Sequence, residues 1–202
     1  MKTSTLRLHG ALVFALAAPL VRADVTLGDA SFDNTSADVA ADWFEPMTAG
    51  TTTTLEGFGA NDGKTRTIAY SAGGNVAGVS TVKRKTVEGD STEEVWIAFD
   101  AADNARVLKV ERGGAAVFEA AAGTTPPLYL PAAPEEGQTW TVAGATVTLE
   151  QVIPSASGYR LKVKSEAGAA TETTYLHAGE GLQLIESGTD SGWRVKKPDA
   201  AE

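Results

Sequence analysis

The sequence predicts an all-β fold: an antiparallel meander of about ten to twelve short strands forming a strongly curved sheet or barrel-like domain. Three observations carry this prediction. Gly, Thr, Val and Ala dominate residues 24–202, and runs of alternating apolar and polar residues recur through them. Gly, Asn, Asp and Pro punctuate those runs at short intervals, as turns between antiparallel strands require. No window sustains the 3.6-residue apolar period of an amphipathic helix.

Taken from the start, residues 1–23 read as a signal peptide. Lys2, Arg7 and His9 make a basic beginning, Gly10 to Val21 is an apolar run, and Val21-Arg22-Ala23 offers small residues where a signal peptidase reads. Cleavage is expected between Ala23 and Asp24. The apolar run is 12 residues long, short of the ~20 that a membrane-spanning helix needs. One short helix is expected over 36–44, with Ser36 as its cap.

The remaining signals are strands. They are expected over 51–58, 64–71, 76–87, 93–100, 105–112, 115–120, 138–143, 145–153, 158–165, 171–178, 181–186 and 192–196. The pattern is clearest where Val95, Ile97 and Phe99 alternate with Glu94, Trp96 and Ala98, and where Tyr159, Leu161 and Val163 alternate with Arg160, Lys162 and Lys164. Turns are expected at Asn61-Asp62-Gly63, Gly73-Gly74-Asn75, Glu88-Gly89-Asp90, Asp100 to Asn104, Gly113-Gly114, Ala143-Gly144 and Gly188 to Gly192.

The break is 121–137, rich in Pro and Ala. Its four prolines, Pro126, Pro127, Pro131 and Pro134, are barred from a central strand. Residues 24–202 are expected to form a single β domain, with two halves, 43–120 and 129–197, flanking this linker. Trp43-Phe44-Glu45-Pro46 running on to Gly50-Thr51-Thr52 is echoed by Tyr129-Leu130-Pro131 running on to Gly137-Gln138-Thr139-Trp140. Each reads as an aromatic pinned to the sheet, a proline turn, and a glycine that admits the chain to the next strand without a Cβ clash. Duplication and chance both account for such an echo.

These residues resemble a loosely defined group of exported bacterial β-proteins of unknown function. The anchors are Trp43-Phe44-Glu45-Pro46 with Gly50, then Gly137-Gln138-Thr139-Trp140, then Tyr175 to Leu182, an aromatic strand running into Gly179-Glu180-Gly181-Leu182. Thr53 stands where the first Gly-x-x-Trp of that pattern has its Trp. The resemblance implies a curved antiparallel sheet similar to carrier-like envelope proteins, and no reaction.

Composition narrows the function classes. The full chain carries a formal charge of −9, from 17 basic and 26 acidic side chains. Lys2, Arg7 and Arg22 leave with the leader and no acid does, so the remaining chain stands at −12. So acidic a surface repels phosphate backbones and anionic lipids, which argues against nucleic acid and against a membrane anchored through charge. The chain has no Cys, so disulfides and lipidation at a cysteine are excluded. A cysteine-free exported domain stabilised by packing alone points to a bacterial periplasmic or extracellular protein.

No constellation specifies a catalytic, cofactor or metal site. His177 is the one histidine after the leader, and a transition-metal site would then depend on carboxylates. Gly89-Asp90-Ser91 resembles a nucleophile segment, but no Asp-x-x-His places a base, and a hairpin turn explains it. Asp100, Asp103 and Asn104 are spaced as calcium ligands can be, without the rhythm or closing Glu of a calcium loop, and tight turns use the same residues. Trp96 either lies under a second cover or is an exposed aromatic that binds a ligand. Trp140 and Trp193, in phase with Val142 and Val195, are expected in the core.

Three functions compete on this reading. The first is an exported non-catalytic domain that binds or carries an apolar small molecule on the concave side of its sheet. The second is a structural or interaction module whose partner is an envelope protein or the extracellular matrix. The third is a hydrolase working through carboxylates alone, which requires two facing acids, one of them desolvated.

Overall fold

The computed structural model describes residues 24–32, 49–155, 158–178 and 180–196. The expected leader with Ala23 and the expected helix over 36–44 lie outside them. Among the described residues the chain is all-β and antiparallel, with one 3-10 turn at Gly59–Asn61. Its strands are β1 (Val25–Leu27), β2 (Ala30–Phe32), β3 (Thr52–Phe58), β4 (Thr65–Val76), β5 (Val79–Glu88), β6 (Ser91–Phe99), β7 (Ala105–Arg112), β8 (Ala115–Glu119), β9 (Leu128–Leu130), β10 (Thr139–Val142), β11 (Ala145–Ser155), β12 (Gly158–Ala167), β13 (Ala170–His177), β14 (Gly181–Glu186) and β15 (Gly192–Val195).

β3 to β8 form one meander and β10 to β15 a second, each of six strands. Pairing of β15 with β3 joins them into one continuous sheet whose outer strands are β10 and β8. The linker supplies β9, which pairs with β7 and lies beside β10. The sheet is therefore not hydrogen-bonded into a closed barrel, because β9 occupies the gap where β8 and β10 would meet.

The curvature follows from what touches what. β7 and β11 are nine strand steps apart along the sheet, roughly 43 Å if it were flat. Yet Val107 of β7 and Val147 of β11 line the same internal space, and one apolar cluster collects Leu55, Ile97, Val107, Leu149, Leu176 and Trp193 from both meanders. Alternation along the strands supplies this interior with most of its apolar side chains and turns many of the charged ones outward. Lys162 meets Glu150 at 2.8 Å and Lys164 meets Glu166 at 2.8 Å on the outer face, and each carboxylate raises its lysine's pKa.

The convex face of β5 to β7 carries a second cluster. The β1–β2 hairpin lies over it, with Leu27, Ala30 and Phe32 buried against Val76, Val79, Trp96 and Leu108. Two lines tie this hairpin down: Ala101 N–H donates to the Ser31 carbonyl and Asp29 N–H to Thr125 Oγ1.

One turn falls elsewhere than the sequence predicts. Gly73-Gly74-Asn75 lies inside β4, and the chain reverses at Ala77-Gly78. Gly73 is the extra residue of a β-bulge, and a Cβ there would strike Thr81 Oγ1 and the Trp96 ring. The glycine signal therefore marks a close approach of the sheet to its own outer cover, not a reversal. Gly50 and Gly137, by contrast, stand before their strands as the echo expects, but a Cβ at either would meet open space, so glycine supplies a left-handed backbone there and not relief of a clash. Both have positive φ, 94° and 83°, and each donates its N–H to the second strand of its meander, at Tyr70 and Leu149 respectively.

The two meanders match in register as well. Tyr70 faces Arg84 as Leu149 faces Val163, and Val82 faces Ile97 as Leu161 faces Leu176. Thr86 faces Glu93 as Ser165 faces Glu172. The sequence offset is constant through these pairs, and the bulge after Trp96 on β6 has its counterpart after Tyr175 on β13.

Trp193 is fully buried on β15, the strand that joins the meanders. Trp193→Ala is expected to lower unfolding free energy by about 3–5 kcal/mol, measured by urea denaturation followed by circular dichroism.

Candidate functional site

Curvature leaves an internal chamber of about 240 Å³ under one end of the sheet. Ten strands contribute to it, from β4 to β7 and from β9 to β14. Its apolar wall includes Val95, Val107, Val110, Leu130, Val147 and Val163, all members of the inner cluster, with Val110 brought to the same face as Val107 by the bulge at Leu108. The chamber opens into a wider polar vestibule of about 480 Å³ at the β5–β6 and β7–β8 turns. Arg66, Thr86, Glu93, Arg112 and Glu172 belong to both spaces.

Arg66 organises the vestibule. Its guanidinium donates twice to Glu88 Oε2, at 3.0 and 2.7 Å, and once to Glu172 Oε1 at 3.0 Å. Glu88 is its cross-strand partner, whereas Glu172 comes from the other meander, so this bond spans the interior. The guanidinium also stacks on Trp193, 4.7 Å from the ring centroid. Arg112 Nε donates to Glu93 Oε2 at 2.8 Å in the same mouth. One guanidinium lies deeper: Arg84 lines the chamber and not the vestibule, with Nη1 donating to Thr86 Oγ1 at 2.9 Å. Its strand neighbours on either side, Tyr70 and Val95, are both buried.

Trp96 occupies the other side of the sheet. It is 8% exposed beneath the β1–β2 hairpin, its Nε1 donates to the Gly73 carbonyl at 3.0 Å, and the ammonium groups of Lys83 and Lys109 flank its ring at 5.6 and 4.9 Å. Both faces of β6 are thus covered, and Trp96 is absent from the chamber lining. Asp24 begins the described chain as an exposed residue.

Asp100 is buried and its carboxylate is fully engaged by protein donors: the N–H groups of Ala102 and Asn104, the Asn104 amide, and Arg106 Nε at 2.7 Å. Asn104 Oδ1 in turn accepts from Ala132 N–H, and Arg106 Nη1 donates to the Pro126 carbonyl. This network clamps the linker to the β6–β7 turn. Asp103 sits at the tip of that turn with φ of 61° and exposed. Among the described residues no group of three His, Cys, Asp or Glu side chains is placed to hold a metal ion.

Ser91 opens β6 immediately after the Gly89-Asp90 hairpin turn and borders the vestibule. His177 ends β13 on the surface, 3.4 Å from Glu180, and borders neither space. Glu93 and Glu172 do share the mouth, but they are 38% and 42% exposed and each is held by an arginine, so neither is the desolvated acid a carboxylate hydrolase requires.

Comparison with known families, with curated proteins and with solved structures finds no match to this chain. The sequence reading did not single out Arg66, Arg84, Arg112 or Glu172. The available signal was a charged residue on the inward phase of a strand, as Arg84 is between Val82 and Thr86.

Burial pushes the Asp100 carboxyl upward, but the bonds from Arg106, Asn104 and Ala102 outweigh it and hold the group below its ordinary value of 3.8. A carboxyl depressed by folding contributes stability that is complete above its unfolded pKa and is lost as pH falls through the folded one. Asp100→Ala is therefore expected to cost about 2–4 kcal/mol at pH 7. That difference should shrink below pH ~3.5, as urea titrations at both pH values will read.

Proposed function

We propose that this protein binds a small, largely apolar molecule inside the rolled sheet and acts as an exported, non-catalytic carrier. The observation that carries this reading is the chamber. Binding sites for small molecules are concave, mostly apolar and furnished with few polar groups. The chamber has an apolar wall, a polar rim and an opening, and its volume suits a compact ligand or the buried part of a longer one. The leader over 1–23 supports export, and the acidic composition supports a ligand other than nucleic acid.

A second reading, an interaction module of the cell envelope, has its own support in β8. That outer strand exposes Val117 at 49% and carries Ala115 and Ala116 beside it, and among the described residues no strand pairs beyond it, which suits strand addition.

The test is titration of the purified protein with N-phenyl-1-naphthylamine, a neutral apolar fluorophore. Saturable binding at one site is expected, and Val107→Phe, which fills the chamber, should weaken it at least tenfold while leaving the circular dichroism spectrum unchanged. Binding that ignores Val107→Phe, or no binding, would overturn the carrier reading.

A further inference from the structure

Among the ion pairs that described residues make at the chamber mouth, one differs in kind. Arg66 with Glu88 and Arg112 with Glu93 each join neighbouring strands, β4 to β5 and β6 to β7, and so lie along the wall. Arg66 Nη2 with Glu172 Oε1, at 3.0 Å, joins β4 to β13. Those strands stand four steps apart in the sheet, roughly 19 Å if it were flat. This pair therefore spans the opening instead of lining it.

Its place is the constriction. Arg66 and Glu172 border both the chamber and the vestibule, whereas Glu88 and Ser91 border the vestibule alone and Val107 and Val147 the chamber alone. A body passing from one space to the other meets this pair on the way. Its two ends are held unequally. Arg66 is 11% exposed, donates twice more to Glu88 Oε2 and stacks on the fully buried Trp193. Glu172 is 42% exposed and meets the guanidinium through Oε1. An ion pair with one end so exposed is weak and is screened by salt, so it breaks and re-forms readily. Arg66 is the fixed post and Glu172 the moving arm.

We infer that the Arg66–Glu172 pair is a bar across the chamber mouth, which sets how fast cargo enters and leaves without setting how tightly it is held. This rests on the carrier reading and adds the control of its site. Swinging the Glu172 side chain away breaks one ion pair and leaves the strand ladder, the Arg66–Glu88 pair and the Trp193 stack in place. The bar closes the mouth equally whether the chamber is empty or filled with a neutral apolar body. It has no preference between the two states, so its removal lowers the barrier between them and leaves their equilibrium alone. Because the bar is electrostatic and half in solvent, exchange of cargo quickens as ionic strength rises.

Stopped-flow fluorescence with N-phenyl-1-naphthylamine at pH 7.5 tests the inference on the wild-type protein, Glu172→Ala, Glu172→Gln and, as a control on the outer face, Glu150→Ala. Glu172→Ala should raise the entry and exit rates together by about three- to fivefold, the scale of a half-exposed ion pair. The dissociation constant should stay within about twofold of wild type, since both rates cross one barrier. Glu172→Gln should fall between the two, because an acceptor remains and the charge is lost. Glu150→Ala should exchange the probe as wild type does. In ~0.5 M salt the ratio of Glu172→Ala rates to wild-type rates should fall toward one. Unchanged rates in both Glu172 variants, or a ratio indifferent to salt, overturn the bar and leave the carrier reading standing. A rise in the exit rate alone, with weakened affinity, makes Glu172 a ligand contact and overturns the bar equally. No uptake of the probe by the wild-type protein overturns the carrier reading, and the bar falls with it.

Discussion

The pairing of Gly192–Val195 with β3 is the constraint on which the rest of the structure depends. Each meander taken alone is a six-stranded sheet with an apolar inner face, and among the described residues neither has a partner layer of its own to cover it. Joining β15 to β3 makes one long sheet, and the right-handed twist natural to strands lets that sheet roll until its inner face covers itself. Trp193 sits at this join with no exposed surface and meets Arg66 from the first meander. The core, the chamber and the mouth are all consequences of that closure.

The far seam is built differently. Matching registers place β8 and β10 where β15 and β3 stand on the other side, but β9 lies in the gap and pairs with β7 instead. The Asp100, Asn104 and Arg106 network fixes the flanks of this insertion, which is why a buried carboxylate with lowered pKa occurs in a turn far from the mouth. One seam is thus sealed by a strand ladder and the other by a tethered linker. Tyr129 and Leu130 of that linker form part of the chamber wall, so the second seam bounds the candidate site directly.

Most of the strands were legible in the sequence because alternation is a local property. Val95, Ile97 and Phe99, or Leu161 and Val163, announce a face wherever the sheet turns it. Three elements escaped for physical reasons. β1 and β2 have three residues each, too few to establish a period, and their burial depends on docking against Trp96 across the sheet. β9 is hemmed in by Pro127 and Pro131, which signal a break even though three residues between them suffice for a bridge to β7. A concave apolar side was expected from the sequence, but the lining of the chamber was not legible, since which inward residues meet depends on curvature, a property of the whole sheet. Arg84 illustrates the limit: its inward phase can be read from Val82 and Thr86, but its contrast with Val163 emerges only when the two meanders are set in register.

The direct measurement of this account is a distance. The chain has no cysteine, so single cysteines at the exposed Ala116 on β8 and Thr141 on β10 can carry nitroxide labels without interference. Pulsed dipolar spectroscopy should find the labels less than about 25 Å apart, because the rolled sheet brings its two outer strands to either side of β9. A separation near ~50 Å, the span of twelve strands laid flat, would contradict the rolled sheet and with it the chamber.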